Sequence, residues 1–289
     1  MPRLEDQPPP EGGTTEGYYP DPLGGKYPRW WDGSQWTARV GEAPKPELKP
    51  GEDRDVRKVP REPTALIGAT FRLYGRFPWL FLALAAGVII PTDLVILAIT
   101  GGGAFSQADT PLSTQVATGV AGWVLIGPLI SALHVHAVAD VRQGEEPRIG
   151  AVARRGLTVL PVVAAATIMS GLGIALGLVA LIVPGVILFF RWAVVAQVAA
   201  IDHQGWIEAL RGSRTLTADN YTQIFLVILL IAVTVGWTGS IAGIVLKHDH
   251  SAAAFLIDTA IHIVTASFSA LATALLYFDL RARKEMTQA

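Results

Sequence analysis

Cysteine is absent from the 289 residues, which removes disulfides, thiolate zinc sites, iron–sulfur clusters and thiol nucleophiles from consideration. A formal net charge of −1 gives no global attraction to nucleic acid, and no basic cluster is interleaved with aromatics as such a site requires. Metal-ligand spacing is missing as well. No His-Glu-x-x-His occurs, and of His134, His136, Asp140 and His203 only His136 and Asp140 share a helix face. Lys247-His248-Asp249-His250 reads as a short polar turn, and Gly101-Gly102-Gly103 as a flexible loop with no strand before it and no Lys-Ser or Lys-Thr after it. No paired acid and base, nucleophile elbow or metal motif is visible, so neither catalytic residues nor a cofactor are expected.

Charge is scarce, at 16% of residues, while 51% are hydrophobic, a balance outside the usual range for a soluble domain. The apolar residues gather between Pro78 and Phe278. A helix needs roughly 20 of them to cross the hydrocarbon core, and the stretches 78–100, 114–138, 157–177, 181–201, 221–246 and 252–278 each qualify. Six spans in a cell membrane, with the lipid bilayer as first partner, are therefore expected. Lys58, Arg61, Arg72 and Arg76 precede the first span. Arg142, Arg148, Arg154 and Arg155 follow the second, Arg211 and Arg214 the fourth, and Arg281, Arg283 and Lys284 the sixth, whereas the opposite gaps hold only Lys247. The positive-inside bias places both termini in the cytoplasm, with Trp79, Trp206, Tyr221 and Tyr277 in the headgroup layer. The opening MPRLEDQPPPEGG has no apolar core or cleavage site, so the first span is expected to act as an uncleaved anchor.

Residues 16–40 are of another kind. Arg29-Trp30-Trp31 and Gln35-Trp36-Thr37 flank Asp32-Gly33, the pattern of a hairpin with a two-residue turn at positive φ. So small a unit must rely on stacked aromatics. Tyr18, Tyr19, Trp30, Trp31 and Trp36 either hold the hairpin together or offer a face for an extended peptide of a cytoplasmic partner. Residues 1–15 read as a disordered tail and 41–64, with five prolines among mixed charges, as a disordered tether. Gly17-Tyr18-Tyr19-Pro20-Asp21-Pro22, then Arg29-Trp30-Trp31-Asp32-Gly33 and Trp36-Thr37, resemble the short Trp-rich domain of unknown function 2510 that is often attached to bacterial membrane proteins. The resemblance implies no chemistry.

Three basic, amphipathic stretches lead into spans: Ala65 to Pro78, Arg148 to Pro161, and Trp206 to Tyr221. They suggest three units, each an interfacial helix followed by a transmembrane hairpin, or else only the shared physics of helix starts. Val183-Pro184-Gly185-Val186, Arg191, Glu208-Ala209-Leu210 with Ser213, and Tyr277-Phe278-Asp279-Leu280-Arg281-Ala282-Arg283-Lys284-Glu285 resemble the bacterial membrane domain named after glycerophosphoryl diester phosphodiesterases, over residues 65–285. Nothing similar to that family's soluble catalytic barrel is present, so the resemblance implies a membrane domain and no activity.

The fold class is thus an all-α polytopic membrane protein of six transmembrane helices with amphipathic interfacial helices, plus a small N-terminal β-hairpin module. Ionisable groups inside spans are functional candidates. Arg191, counted down from a turn at Pro184-Gly185, falls at a depth comparable to Asp93 and Asp258. Pairing of Arg191 with Asp258 or Asp93 is the structural expectation; an anionic headgroup on Arg191, or a proton relay through Asp258 and His262 one turn apart, are the functional ones. Ala83/Gly87, Gly173/Gly177, Gly239/Gly243 and Ala270/Ala274 allow close helix approach and a homo-oligomer. A non-catalytic membrane scaffold or lipid- and partner-binding module is the expected function, with a small-solute or amphiphile transporter as the alternative and a phosphodiesterase accessory behind both.

Overall fold

A computed structural model describes residues 16–24, 28–40, 60–100, 112–122, 126–202, 205–246 and 251–288. Predictions that fall on 1–15, most of the tether, Gly101-Gly102-Gly103, His203 and 247–250 lie outside these residues. The chain divides between Lys49 and Pro50 into two compact units.

The first unit is an antiparallel sheet of three strands, one more than the hairpin expected: β1 (Gly17–Tyr19), β2 (Arg29–Trp31) and β3 (Trp36–Val40), in the order β1-β2-β3. The β2–β3 connection also differs from the two-residue turn. Trp31 is opposite Trp36, which leaves Asp32 to Gln35 as a four-residue loop. The Asp32 carboxylate explains the longer loop, because its Oδ1 accepts from Ser34 N (2.9 Å), Ser34 Oγ (2.8 Å) and Gln35 N (2.7 Å), satisfying donors that a tighter turn would leave to water. Gly33, at φ +90°, supplies the left-handed residue. β1 is tied in by the turn after Pro20, where the Arg29 Nε donates to Asp21 Oδ1 at 3.0 Å.

The second unit is helical. Its elements are α1 (Pro63–Arg76), α2 (Pro78–Thr100), α3 (Leu112–Ala121), α4 (Gly127–Arg142), α5 (Ile149–Ala180), α6 (Ile182–Arg191), α7 (Val195–Ile201), α8 (Trp206–Thr217), α9 (Tyr221–Leu246) and α10 (Ala252–Gln288). Among the described residues five helical stretches are long and apolar enough to cross a membrane, the mark of a multi-pass membrane protein: α2, α5, the α6–α7 pair, α9 and α10. The remaining predicted span, 114–138, is shared between α3 and α4.

Helix limits follow local chemistry. α1 begins with Pro63 at its first position, where a missing N–H costs nothing, and it stops at Phe77 because Pro78 restricts the residue before it. α8 ends at Ala218, and Asp219 at φ +63° turns the chain into α9. The middle basic stretch behaves otherwise. Arg148 to Pro161 is not a separate interfacial helix but the start of the continuous 32-residue α5, with Pro161 inside it. No left-handed residue interrupts it, and Gly156 instead lets α4 close in, since a Cβ there would lie 2.7 Å from Leu133 Cδ2. The chain reverses at Leu181, an extended residue, so Pro184 and Gly185 are inside α6 rather than the turn they were expected to form. Pro184 falls in the first turn, where its lost donor is tolerated.

The main apolar core is shared by α1, α2, α4, α5, α7, α9 and α10 and centred on Phe81, Leu73, Val138, Val163, Val198, Ile224, Leu271 and Tyr277, with a smaller cluster of Ala85, Ile89, Ile130, Ile263 and Ala270 between α2, α4 and α10. Small residues set the closest approach between α5 and α6: a Cβ on Gly177 would meet Gly185 Cα at 2.9 Å, and one on Gly173 would meet the Trp192 ring at 2.6 Å. Ala270 and Ala274 are buried. Gly87, by contrast, faces open space.

Candidate functional site

The expected intramembrane set does not assemble. Arg191 closes α6, and its carbonyl accepts from Ser213 Oγ (3.0 Å) and Thr217 Oγ1 (3.2 Å) of α8. Among the described residues its guanidinium pairs with neither Asp93 nor Asp258, and its Nε is buried without a partner. Asp93 instead takes the Thr259 hydroxyl at 3.0 Å, joining α2 to α10. Asp258 and His262 are both exposed on α10. The chain reversal at Leu181 is the reason the depth argument fails: it starts α6 earlier and carries Arg191 to the α8 contact rather than to the α2–α10 seam.

Among the described side chains of the β-module, Trp31 and Trp36 are core. Trp31 and Trp36 are 5% and 7% exposed, meet edge to face at 5.4 Å and are flanked by Tyr19 at 6.4 Å from Trp36. Neither indole face is open to a peptide. Tyr19 and Trp30 are half-buried, so a docking strip would have to run over them. The Arg29 guanidinium beside Asp21 holds that carboxyl below its ordinary range, and the backbone N–H of Leu23 adds to the effect.

His134, near the middle of α4, serves structure. His134 Nδ1 donates to the Ile130 carbonyl at 2.8 Å, and Nε2 lies 2.9 Å from Ser267 Oγ, itself 3.1 Å from the Phe81 carbonyl. One buried serine thus links α2, α4 and α10. Asp140, on the same helix face as His136, forms a two-pronged ion pair with Arg155. Among the described residues no group of three His, Asp or Glu could hold a metal ion.

Most of the charge chemistry lies where α10 ends. Asp279 accepts the backbone N–H of Arg61 at 2.6 Å through one oxygen and Arg283 Nε at 2.8 Å through the other. Arg283 and Gln223 then both donate to the Arg61 carbonyl. Two residues from Asp279 and Arg283, on another side of the helix, Arg281 donates to Asp202 at 3.1 Å and to the Tyr277 hydroxyl at 2.9 Å. Tyr277 is fully buried in the bundle, with its hydroxyl turned to the partly exposed Arg281–Asp202 pair. Arg142 stacks over Phe278 at 4.9 Å. Together these contacts fasten the C-terminal half of α10 to α4, α7, α9 and the segment before α1.

Beside this girdle opens a cleft of about 720 Å³, lined by Pro60, Thr215, Leu216, Ala218, Asp219, Asn220, Arg283, Lys284, Met286 and Thr287. Among the described residues Lys284 Nζ donates only to the Thr215 carbonyl, at 3.3 Å. The α8–α9 turn forms one wall, and its left-handed Asp219 holds that wall open. The cleft thus sets the cations Arg283 and Lys284, the carboxylate of Asp219 and the hydroxyls of Thr215 and Thr287 beside an apolar side of Leu216 and Met286. Exposed Arg211 and Arg214 on α8, with Trp206 and Tyr221 at 40% exposure each, surround it on the same elements. Arg72 and Arg76 are exposed on α1, beside Trp79 at 81%.

Asp202, Asp279, Gln223 and Gln197 escaped the sequence reading. The signal for one of them was present: Asp279 precedes Arg283 by one turn, a spacing that pairs on any helix, but no local pattern announces partners more than 70 positions away.

These features define a multi-helix membrane protein that carries a three-stranded, tryptophan-cored module. Residues 17–48 match a family described as protein of unknown function (DUF2510). No curated protein and no solved structure matches the chain.

Proposed function

We propose that the helical unit is a non-catalytic membrane module that holds an anionic lipid headgroup in the cleft between the α8–α9 turn and the end of α10, and that the β-module recruits a cytoplasmic protein. The observation that carries the lipid reading is the cleft itself, where Lys284 is tethered by a single carbonyl contact and Leu216 and Met286 offer an apolar wall. The proposal includes six spans in a bacterial inner membrane with both termini in the cytoplasm. In its support, Arg72, Arg76, Arg148, Arg154, Arg211 and Arg214 are exposed, next to interfacial aromatics. It also includes kinship of residues 65–285 with the glycerophosphoryl diester phosphodiesterase membrane domain; here the shared terminal string acts as a clasp, which needs no catalysis.

Native mass spectrometry of the full-length protein released from membranes tests the lipid reading. An anionic phospholipid retained by the wild type and lost in Lys284→Glu supports it; equal retention in both overturns it. Transport is the second reading, favoured by exposed Asp258 and His262 inside a span-length helix, and solute flux into proteoliposomes would distinguish it.

A further inference from the structure

One face of α10 carries Asp258, His262, Thr265, Ser269 and Thr273. Spacings of three and four residues put them on one line along the helix, about 22 Å long at roughly 1.5 Å per residue. Exposure falls along that line: Asp258 and His262 are exposed, Thr265, Ser269 and Thr273 are half-buried, and Gln197 of α7, which meets Thr273, is 3% exposed. The other exposed face of the same stretch is apolar, with Leu256, Ile257 and Val264 at 65%, 50% and 44%. The apolar face suits hydrocarbon. The polar one does not, because ionisable groups within spans are tolerated where they line water or find a partner. The side chains of Asp258 and His262 have none among the described residues.

The line is also rich in acceptors. Thr265 Oγ1 donates to the Ile261 carbonyl at 2.9 Å and Thr273 Oγ1 to the Ser269 carbonyl at 3.0 Å, so their protons are committed to the backbone and the Thr265 lone pairs are left for a visitor. At the buried end Gln197 Nε2 spends its hydrogens on Ser131 Oγ (3.0 Å) and Thr273 Oγ1 (3.1 Å), and Oε1 has no donor. A buried acceptor without a donor is uncommon and calls for a water or a ligand.

We propose that this face lines a water-filled vestibule that opens towards the Ala252 end of α10, concentrates small monovalent cations through Asp258, and ends at the Gln197 carbonyl oxygen. The vestibule does not depend on the lipid cleft, which is at the opposite end of α10.

The absence of native cysteine makes the test clean. Single cysteines at Thr265→Cys, Ser269→Cys and Val264→Cys, in full-length protein in nanodiscs, would be challenged with a membrane-impermeant cationic methanethiosulfonate and with its anionic sulfonate analogue. Thiolates form in water and not in hydrocarbon, so positions 265 and 269 should react at least about tenfold faster than 264. The cationic reagent should lead the anionic one by about tenfold, the lower end of electrostatic focusing in a charged cleft, and Asp258→Asn should abolish that lead. Equal rates at 264 and at 265 and 269, or no reaction at 265 and 269, would overturn the vestibule. Fast reaction without charge preference, or a preference that survives Asp258→Asn, would overturn cation selection.

Discussion

Removing Arg155 should harm the fold more than removing Asp140, although the two are partners in one ion pair. Asp140 lies in the last turn of α4, where a negative charge opposes the helix dipole, and its side chain is 7% exposed while that of Arg155 is 43% exposed. When Asp140→Ala deletes the carboxylate, the guanidinium can swing to water and the loss is that of one charge-assisted, bidentate contact, about 1.5–3 kcal/mol and nearer the lower figure given the exposure of Arg155. When Arg155→Ala deletes the cation, the carboxylate stays behind, buried and unpaired at a helix C-terminus, for which about 3–5 kcal/mol is typical. The double variant should be less damaged than the sum of the two, with a coupling of about 1–3 kcal/mol. Reversible unfolding in detergent micelles, followed by helix signal against denaturant, gives all four corners of the cycle. A loss for Asp140→Ala equal to or larger than that for Arg155→Ala would show that the burial asymmetry does not govern this pair.

Gly185→Ala should loosen the α5–α6 hairpin by about 1–3 kcal/mol, because its Cβ would meet the Leu178 backbone nitrogen at 2.5 Å, which no rotamer change relieves; Gly87→Ala, built into open space, should stabilise slightly, and unfolding midpoints in micelles compare them. Trp36→Ala should abolish protection of the β2–β3 amides in hydrogen exchange on the full-length protein, since about 3–5 kcal/mol is lost on truncating a buried Trp and so small a module has little more in reserve. For Asp21 the folded carboxyl is held below its ordinary value, so its contribution is present above that ordinary value and fades as pH falls through the lower, folded one. The amide protection of Gly17–Tyr19 should therefore decline in that acid window, and Asp21→Asn should remove the decline.

The long helices were legible because a span is a one-dimensional property: α2 and α9 begin and end where the apolar runs of 78–100 and 221–246 do. For the remaining expected span, 114–138, the helical residues fall in α3 and α4, with 123–125 outside the described residues. The basic stretches were read alike and fold differently. Asp219 can adopt a left-handed turn and ends α8, whereas the Arg148 stretch has no such residue before Pro161 and runs straight into α5. Positive φ at Asp219 was not deducible from composition, since aspartate only favours it several-fold.

The site was the least legible part, and Arg191 shows why. A lone arginine near aspartates in neighbouring spans suggests a pair, but pairing needs register between helices, and register here is set by Gly177 against Gly185 and Gly173 against Trp192. Those contacts shift α6 to hand the Arg191 carbonyl to Ser213 and Thr217. The terminal string 277–285 carries the opposite lesson. Its alternation of Asp279, Arg281, Arg283 and Lys284 puts residues two apart on different sides of α10, so a short run of sequence reaches Arg61, Asp202 and Thr215 at once. Such a run is constrained at almost every position without containing a reactive group, which is how a clasp can look, in sequence, as specific as an active site.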